Sequence, residues 1–149
     1  MSRGKVSETP DELLINAERD IISIDVLLQK KFYPEDLMYI PMCFHATQAV
    51  EKLLKSYIIS NGKNIKKTHN LNDLCETVKK IDISFEKIVD DCILLNTFIP
   101  RIKYSNKVPV TKQNINDIVK SLNNICSLPP IKAMRDSFKQ NHRFEIMDE

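Results

Sequence analysis

The side chains best suited to proton transfer or phosphate binding lie in one stretch, Cys43 to Ser60, and in the loop that follows it. A histidine can gain or lose a proton near neutral pH, and a lysine ammonium group can bind a phosphate oxygen. On a helix, four polar side chains of this stretch share one arc about 80° wide: His45, Gln48, Lys52 and Lys55. Glu51 precedes Lys55 by four residues, which predicts an ion pair within the helix. The arc is either a solvated helix face or a contact surface.

Two other stretches of the chain are rich in basic residues. The relevant side chains are Lys63, Lys66, Lys67 and His69 in the first stretch, and Arg101, Lys103 and Tyr104 in the second. A run of charges is most often only a solvated loop. If the two stretches meet in the fold, they form a basic surface that can bind a phosphate group.

Hydrophobic periodicity predicts that helices position these residues. Apolar side chains recur at threes and fours along Cys43 to Ser60, the pattern of a helix packed on a core. The first two predicted helices are one capped by Thr9 that ends at Gln29 and one from Pro41 to a left-handed Gly62. The other three are one capped by Asn70 that runs to Ile81, one capped by Ser84 that Pro100 ends or kinks, and one capped by Thr111 that Pro129 and Pro130 stop.

Composition favours one all-α domain. A chain of 149 residues with 42% hydrophobic residues can bury a single core, and two glycines supply too little turn chemistry for an all-β fold. Short loops between the predicted helices favour an up-and-down helical bundle of four to five helices. We predict a disordered N-terminus over residues 1–8, the bundle over residues 9–128 and a C-terminal extension over residues 129–149.

In an up-and-down bundle, the direction of each helix decides which loops share an end. The loop before His69, the start of the third helix and the stretch around Arg101 fall at the same end as the C-terminus of the second helix. We therefore expect one group at this end: Lys55, His69, Arg101, Lys103 and Tyr104. His45 lies ten residues before Lys55, about 15 Å away along the helix, and is not expected in this group.

Charge and cysteine usage exclude several classes of function. A net charge of +2 is far from the strongly basic balance of a dedicated DNA-coating protein. The cysteines form no C-x-x-C pair and have no histidine at zinc-ligand intervals, so we predict core thiols, no metal site and no cofactor. Neither an apolar run of membrane-spanning length nor a secretory leader is recognisable. We expect a reduced, cytoplasmic protein.

Two stretches resemble elements of one known family, the HEPN domains (higher eukaryotes and prokaryotes nucleotide-binding domains). The first is CFHATQAVEKLLKSYIISNG followed by KKTHNL, which resembles the family pattern FHxQQAxEKxLKA, a short loop with glycine, and K-T-H-D-L. The second is FIPRIKYSN, which resembles the family element I-P-x-R-Y-P. Here Lys103 stands where the family has its arginine before tyrosine, so Arg101 is the candidate to supply the guanidinium.

The resemblance implies a HEPN-like bundle that forms a homodimer, binds a nucleotide or RNA, and works with a minimal nucleotidyltransferase partner in a toxin–antitoxin-like pair. It assigns His45, Gln48 and Glu51 to the family motif on the second helix. It assigns nucleotide or phosphate binding to Lys52, Lys55, His69, Arg101, Lys103 and Tyr104. Phe44 and Ile58, just off the core stripe, would form a dimer patch if both were exposed.

Two alternative functions remain open: a metal-independent ribonuclease and a non-catalytic dimeric interaction scaffold. Nuclease members of the superfamily use an arginine for phosphate charge and a histidine, four to six residues further on, as acid or base. Arg135 and His142, with six residues between them, have this spacing, although they lie beyond the helices that resemble the family. His69 with Arg101, brought together across the fold, is the other candidate pair.

Overall fold

The computed structural model describes residues 8–65, 67–103 and 109–147. Within these ranges the chain is helical and contains no β-strand, so the predicted all-α class is confirmed. The elements are α1 (Pro10–Gln29), α2 (Tyr39–Ser60), α3 (Leu71–Ile81), a 3-10 helix (Ile83–Ile88), α4 (Val89–Asn96), α5 (Ile99–Lys103), α6 (Lys112–Ser127) and α7 (Pro129–Lys139). Lys66 and Tyr104, together with residues 1–7 of the predicted disordered N-terminus, lie outside the described residues.

α2 is the central helix of the bundle. It contacts α1, α3, α4, α5, α6 and α7, and its most extensive contact is with α1. Ala46 and Ala49 are fully buried on α2, and these small side chains let neighbouring helices approach its backbone closely. The start of α1 is tied to the end of α2, since Ser56 Oγ donates a hydrogen bond to the Pro10 carbonyl at 3.0 Å. α1 and α2 therefore form an antiparallel hairpin, around which the other helices pack.

Most of the predicted helix ends are confirmed. Thr9 and Glu12 form a reciprocal capping box at the start of α1, and the side chains of Asn70 and Thr111 cap α3 and α6. Gly62 has φ of 73° and follows α2 in the left-handed conformation that glycine adopts without strain. α2 itself begins at Tyr39, earlier than the predicted start near Pro41. Proline fits there because N–H groups in the first turn have no partner within the helix.

The predicted fourth helix is divided into three elements. Asp82, and not Ser84, caps the first element: the Asp82 carboxylate accepts a hydrogen bond from the Ser84 N–H at 2.9 Å, and a 3-10 helix follows. Pro100 was predicted to end or kink this helix, but α4 already ends at Asn96 and Pro100 occupies the second position of α5. Pro129 and Pro130 similarly stop α6 and begin α7. In both places the prolines start a new helix, because a proline that cannot continue one helix is well suited to start the next.

A buried ion cluster joins α7 to the rest of the bundle. Glu18 on α1 is 2% exposed, and its carboxylate accepts hydrogen bonds from Arg135 Nε at 2.6 Å and Nη2 at 2.9 Å. Lys139 Nζ lies 3.3 Å from the same carboxylate. Burial alone would raise the pKa of Glu18, but its interactions with Arg135 and Lys139 outweigh burial and lower the pKa. Ile131 and Phe138 place α7 in the same hydrophobic core as α2.

Replacing Arg135 with methionine should lower the free energy of unfolding by about 3–5 kcal/mol, because it leaves the buried Glu18 carboxylate without its main partner. Chemical denaturation near neutral pH measures this change. Lys132→Met is the matched control on the same helix, since it removes an exposed ion pair with Asp136. It should change the stability much less than Arg135→Met does, because solvent screens an exposed pair. Equal losses in the two variants would contradict the assigned role of Glu18.

The effect of Arg135→Met should also depend on pH. Because the pKa of Glu18 is lowered in the folded protein, its stabilising contribution is present above its ordinary pKa of 4.5 and is lost as the pH falls through the folded value. Once Glu18 is protonated, Arg135 no longer pairs with a charge. The stability difference between the wild-type protein and the variant should therefore shrink between about pH 7 and about pH 3. A constant difference would show that Arg135 stabilises the fold through packing alone.

Candidate functional site

One arc of the α2 surface is left uncovered by the other helices. At about 100° per residue, its side chains span about 100° of the helix. They are Pro41, Phe44, His45, Gln48, Lys52, Lys55 and Ile59, all of which are exposed or partly exposed. We call this surface the α2 arc. Ile58, predicted to share a dimer patch with Phe44, is 1% exposed and lies in the core, so that part of the prediction is wrong.

A buried carboxylate borders the α2 arc on the side of α1. Asp20, which is 7% exposed, accepts a hydrogen bond from His45 Nδ1 at 2.9 Å through Oδ1. Its other oxygen, Oδ2, lies 2.7 Å from Lys52 Nζ. His45 and Lys52 are seven residues apart and therefore lie on the same side of α2, two turns from each other. Asp20 neutralises the lysine and orients the imidazole.

A second buried carboxylate borders the α2 arc on the side of α3. Glu51, which is 6% exposed, accepts hydrogen bonds through Oε2 from Lys55 Nζ at 2.8 Å and from His69 Nδ1 at 2.9 Å. The first contact is the ion pair predicted within the helix. The His69 side chain is 80% exposed. Since a carboxylate only accepts hydrogen bonds, Nδ1 carries the hydrogen and Nε2 is left for a ligand.

Several hydrogen bonds hold His69 at the start of α3. Thr68 Oγ1 accepts a hydrogen bond from the Asn70 N–H at 3.0 Å. The Leu71 N–H donates to Asn96 Oδ1 at 2.8 Å, which joins the start of α3 to the end of α4. Because of this contact, the chain that continues into α5 begins close to His69. The meeting of His69 with Arg101 and Lys103 stays a prediction, because this contact involves neither of those two side chains.

Arg101 on α5 lies against the bundle and not free in solvent. Its guanidinium carbon is 4.7 Å from the centre of the Phe98 ring, and Nη1 is 3.4 Å from Asn114 Oδ1. Burial raises the pKa of the Cys43 thiol to about 11, and the nearby Arg101 charge acts in the opposite direction. Arg101 is therefore near the N-terminal half of α2. Neither of its protein contacts neutralises the guanidinium charge.

The spacing of Arg135 and His142 does not correspond to a shared phosphate site. The Arg135 guanidinium is occupied by Glu18, as described above. His142 stacks on Phe138 with ring centres 4.0 Å apart, and its Nδ1 donates to the Phe138 carbonyl at 3.1 Å. His142 also lines an open cleft of about 240 Å³ between α7 and the start of α1. Both side chains have structural partners.

The structure separates the predicted binding residues into groups. Lys55 and His69 share Glu51, whereas Lys52 belongs with His45 on the opposite border of the α2 arc. The separation of His45 from Lys55 agrees with the sequence analysis. Arg101 lies on α5 beside α2, and Lys103 is exposed at the end of α5.

Sequence reasoning missed two buried acids on α1, although the signal was present. Asp20 lies three residues after Ala17 and four before Ile24, so it occupies a position within the apolar stripe of α1. Glu18 follows buried Leu14 by four residues. An acid at a core position requires a buried cation nearby. In the fold, His45 and Lys52 meet this requirement for Asp20, and Arg135 meets it for Glu18.

The cysteines and the helix surfaces were compared with the requirements of a metal site and of a membrane-spanning helix over the described part of the chain. All four cysteines are free thiols; Cys43, Cys75 and Cys92 are buried and Cys126 is partly buried. Within the described ranges, three or more side chains that could hold a metal ion do not converge anywhere. In the same ranges, no helix is both long enough and apolar enough to cross a bilayer.

A family model described as the HEPN domain matches residues 11–131. The chain belongs to the HEPN domain family. The match includes both polar clusters that border the α2 arc, and the HEPN domain is a nucleotide- or RNA-related module. Most of α7 follows the matched region, so Arg135 lies outside it. No curated protein and no solved structure gave a significant match.

Replacing Asp20 with alanine should lower the free energy of unfolding by about 1–3 kcal/mol, because His45 and Lys52 lose their shared acceptor. Thermal or chemical unfolding measures this loss. Asp25→Ala is the matched control on the same helix. Asp25 is exposed, and partial desolvation by its neighbours raises its pKa, which shows that the folded protein disfavours its charge. Asp25→Ala should therefore leave stability unchanged or raise it slightly, and a comparable loss in both variants would contradict the role of Asp20.

Proposed function

We propose that this HEPN protein binds the phosphate groups of a nucleotide or an RNA around His69. The observation that carries the proposal is the pairing of exposed His69 with buried Glu51. The buried carboxylate orients the imidazole through Nδ1, so a protonated His69 presents its Nε2–H to a phosphate oxygen without an ordering cost. Lys55 supplies a second cation on the same carboxylate. Together they make a small, preorganised anion-binding group.

The charge balance around Glu51 favours a single phosphate. Glu51 and Lys55 cancel each other, so the cluster is neutral when His69 is neutral and has a charge of +1 when His69 is protonated. Additional positive charge comes from exposed lysines of the preceding loop, Lys63 and Lys67. Arg101 and Lys103 follow α4, whose C-terminal end is held against the start of α3. We propose that these two side chains contact the next phosphate along the ligand. Long-range attraction by these cations would increase the rate of association.

Lys52 is not included in the proposed phosphate site. Its ammonium group is bound to Asp20 at 2.7 Å, and a phosphate would have to displace a buried carboxylate. Lys55 is only 13% exposed, so we propose that it acts on the phosphate through its charge, while His69 makes the direct contact. Tyr104 lies outside the described residues and remains a sequence-based prediction.

Family membership supports RNA binding and dimerisation. HEPN domains commonly dimerise and bind RNA. We propose that the protein is a cytoplasmic homodimer whose partner is a minimal nucleotidyltransferase, in a toxin–antitoxin-like pair. Such a partner would act on nucleotides, whose phosphate groups the His69 site is proposed to bind. Co-expression of the two proteins, followed by purification through a tag on one of them, tests this association directly.

Binding to a labelled single-stranded RNA, followed by fluorescence anisotropy, tests the phosphate site. His69→Ala should weaken binding by about tenfold, equivalent to about 1.4 kcal/mol, because it removes the direct contact. Lys132→Ala, which removes an exposed lysine on α7, is the matched control and should leave the affinity unchanged. Affinity should also fall steeply as salt is raised. Equal affinities for the wild-type protein and His69→Ala would exclude His69 as a ligand.

The pairing of Glu51 and His69 also favours a second function, metal-independent RNA cleavage. A histidine whose Nδ1 is held by a carboxylate can act as a general base through Nε2. The ribose 2′-hydroxyl would give its proton to Nε2 and attack the phosphorus atom. The bond from phosphorus to the 5′-oxygen would break, and that oxygen would take a proton from water. The products would be a 2′,3′-cyclic phosphate and a 5′-hydroxyl.

Incubation of bulk RNA with the protein in excess chelator separates the two functions. If the protein cleaves RNA, cleavage should disappear in His69→Ala and decrease in Arg101→Ala, whereas His142→Ala should retain it. Loss of cleavage in Arg135→Ala and His142→Ala alone would instead assign the activity to α7. Intact RNA in every reaction would exclude cleavage by the protein on its own and leave the binding function.

A further inference from the structure

The α2 arc presents one exposed aromatic ring. Phe44 is 44% exposed, and no other large hydrophobic side chain of the arc is exposed to this extent. The His45 imidazole meets the Phe44 ring edge-on, with ring centres 5.7 Å apart. His45 is held in turn by its hydrogen bond to the buried Asp20 carboxylate at 2.9 Å. The fold therefore fixes the neighbour of Phe44 and leaves much of the Phe44 side chain open to a ligand.

A single exposed ring suits a flat ligand better than it suits a protein partner. The centre of a protein interface is built from several apolar side chains packed together. A nucleic-acid base, in contrast, stacks on one aromatic ring, and this contact stabilises complexes with single-stranded RNA. The bases of a duplex are stacked on one another and do not offer their faces. Phe44 therefore favours an unpaired base as its ligand.

Gln48 lies beside this ring and can bind the edge of a base. It follows Phe44 by four residues, so the two side chains are neighbours on the same side of α2, and it is partly exposed. The cations on this surface, Lys52 and Lys55, are bonded to buried carboxylates. A glutamine amide carries both a hydrogen-bond donor and an acceptor, as the edges of the bases do. This part of the arc is therefore suited to a base and not to a phosphate.

The ring lies within reach of the phosphate site at His69. Glu51, which binds His69, follows Phe44 by seven residues. Seven residues are two helical turns, so Phe44 and Glu51 lie on the same side of α2, about 10 Å apart along its axis. A strand that places a phosphate on His69 can follow α2 and bring a nearby base onto Phe44.

We infer that Phe44 and Gln48 form a base-binding subsite for single-stranded RNA. An unpaired base stacks on the Phe44 ring, and its edge exchanges hydrogen bonds with the Gln48 amide. The inference rests on the proposed function, because the same RNA supplies the phosphate that His69 binds. It adds the class of ligand: a single strand with accessible bases, in preference to a duplex or to a polyphosphate without bases.

A tryptophan in place of Phe44 tests the stacking directly. The chain contains no tryptophan, so Phe44→Trp introduces a single indole whose fluorescence can be followed. Titration with single-stranded oligoadenylate should quench this fluorescence, because a base stacks on the indole as it does on phenylalanine. Ile93→Trp is the matched control, since Ile93 is 45% exposed on α4 and outside the arc. Its fluorescence should stay unchanged at the same RNA concentrations.

Affinity measurements separate the base subsite from the phosphate site. Phe44→Ala should weaken binding of single-stranded oligoadenylate by about tenfold, because it removes one stacked base. Gln48→Leu should change this affinity in the same direction. Both variants should bind inorganic polyphosphate as the wild-type protein does, whereas His69→Ala should weaken the binding of both ligands. The wild-type protein should also bind the single strand more tightly than a duplex of the same length.

The two sites can fail separately. Loss of RNA affinity in Phe44→Ala, with His69→Ala unchanged, would support the base subsite and exclude the phosphate site. Phe44→Trp that is not quenched by saturating RNA, or Phe44→Ala with wild-type affinity, would overturn the base subsite and leave the phosphate site in place. Equal affinities for single strand and duplex would also overturn the base subsite. A protein that binds none of these ligands would overturn both.

Discussion

The structure depends on one electrostatic constraint: a carboxylate removed from water must have a cation beside it. The hairpin of α1 and α2 buries three such groups, Glu18, Asp20 and Glu51. Each is bound by two basic side chains: those of Glu18 lie on α7, those of Asp20 lie on α2, and those of Glu51 lie on α2 and in the loop before α3. These ion pairs therefore hold α2 and α7 against α1, and the start of α3 against α2. Apolar packing alone would leave the orientation of these helices loosely defined.

The same constraint relates stability to function in this HEPN domain. Arg135 and Lys52 have the charge and reach to bind a phosphate, but both are committed to buried acids. His69 differs because its carboxylate is buried while the imidazole is largely exposed. Folding orders His69 through its hydrogen bond to Glu51, so a ligand does not have to order this side chain. Nε2 of His69 remains available to the ligand. A basic residue near a helix is thus a candidate ligand only after its partners within the chain are known.

Much of the fold could be predicted from local sequence. The capping side chains of Thr9, Asn70 and Thr111 mark helix starts through contacts within three residues, which a sequence shows directly. The division around Pro100 could not be predicted, because a proline can end or begin a helix and tertiary packing decides which. In the candidate site, the contact between Glu51 and Lys55 is local and was predicted. Asp20 and Glu18 were missed because their partners lie 25 to 117 residues away.

The contact between Glu18 and Arg135 spans 117 residues and connects the first helix to the last. During synthesis, the chain can form the hairpin of α1 and α2 long before α7 leaves the ribosome. Until then Glu18 has no guanidinium partner, so burying its carboxylate is strongly disfavoured. Since chains emerge from the N-terminus at a limited rate, closure of the core waits for the last helix. The bundle is therefore sealed by its C-terminal end, and an incomplete chain would remain open at Glu18.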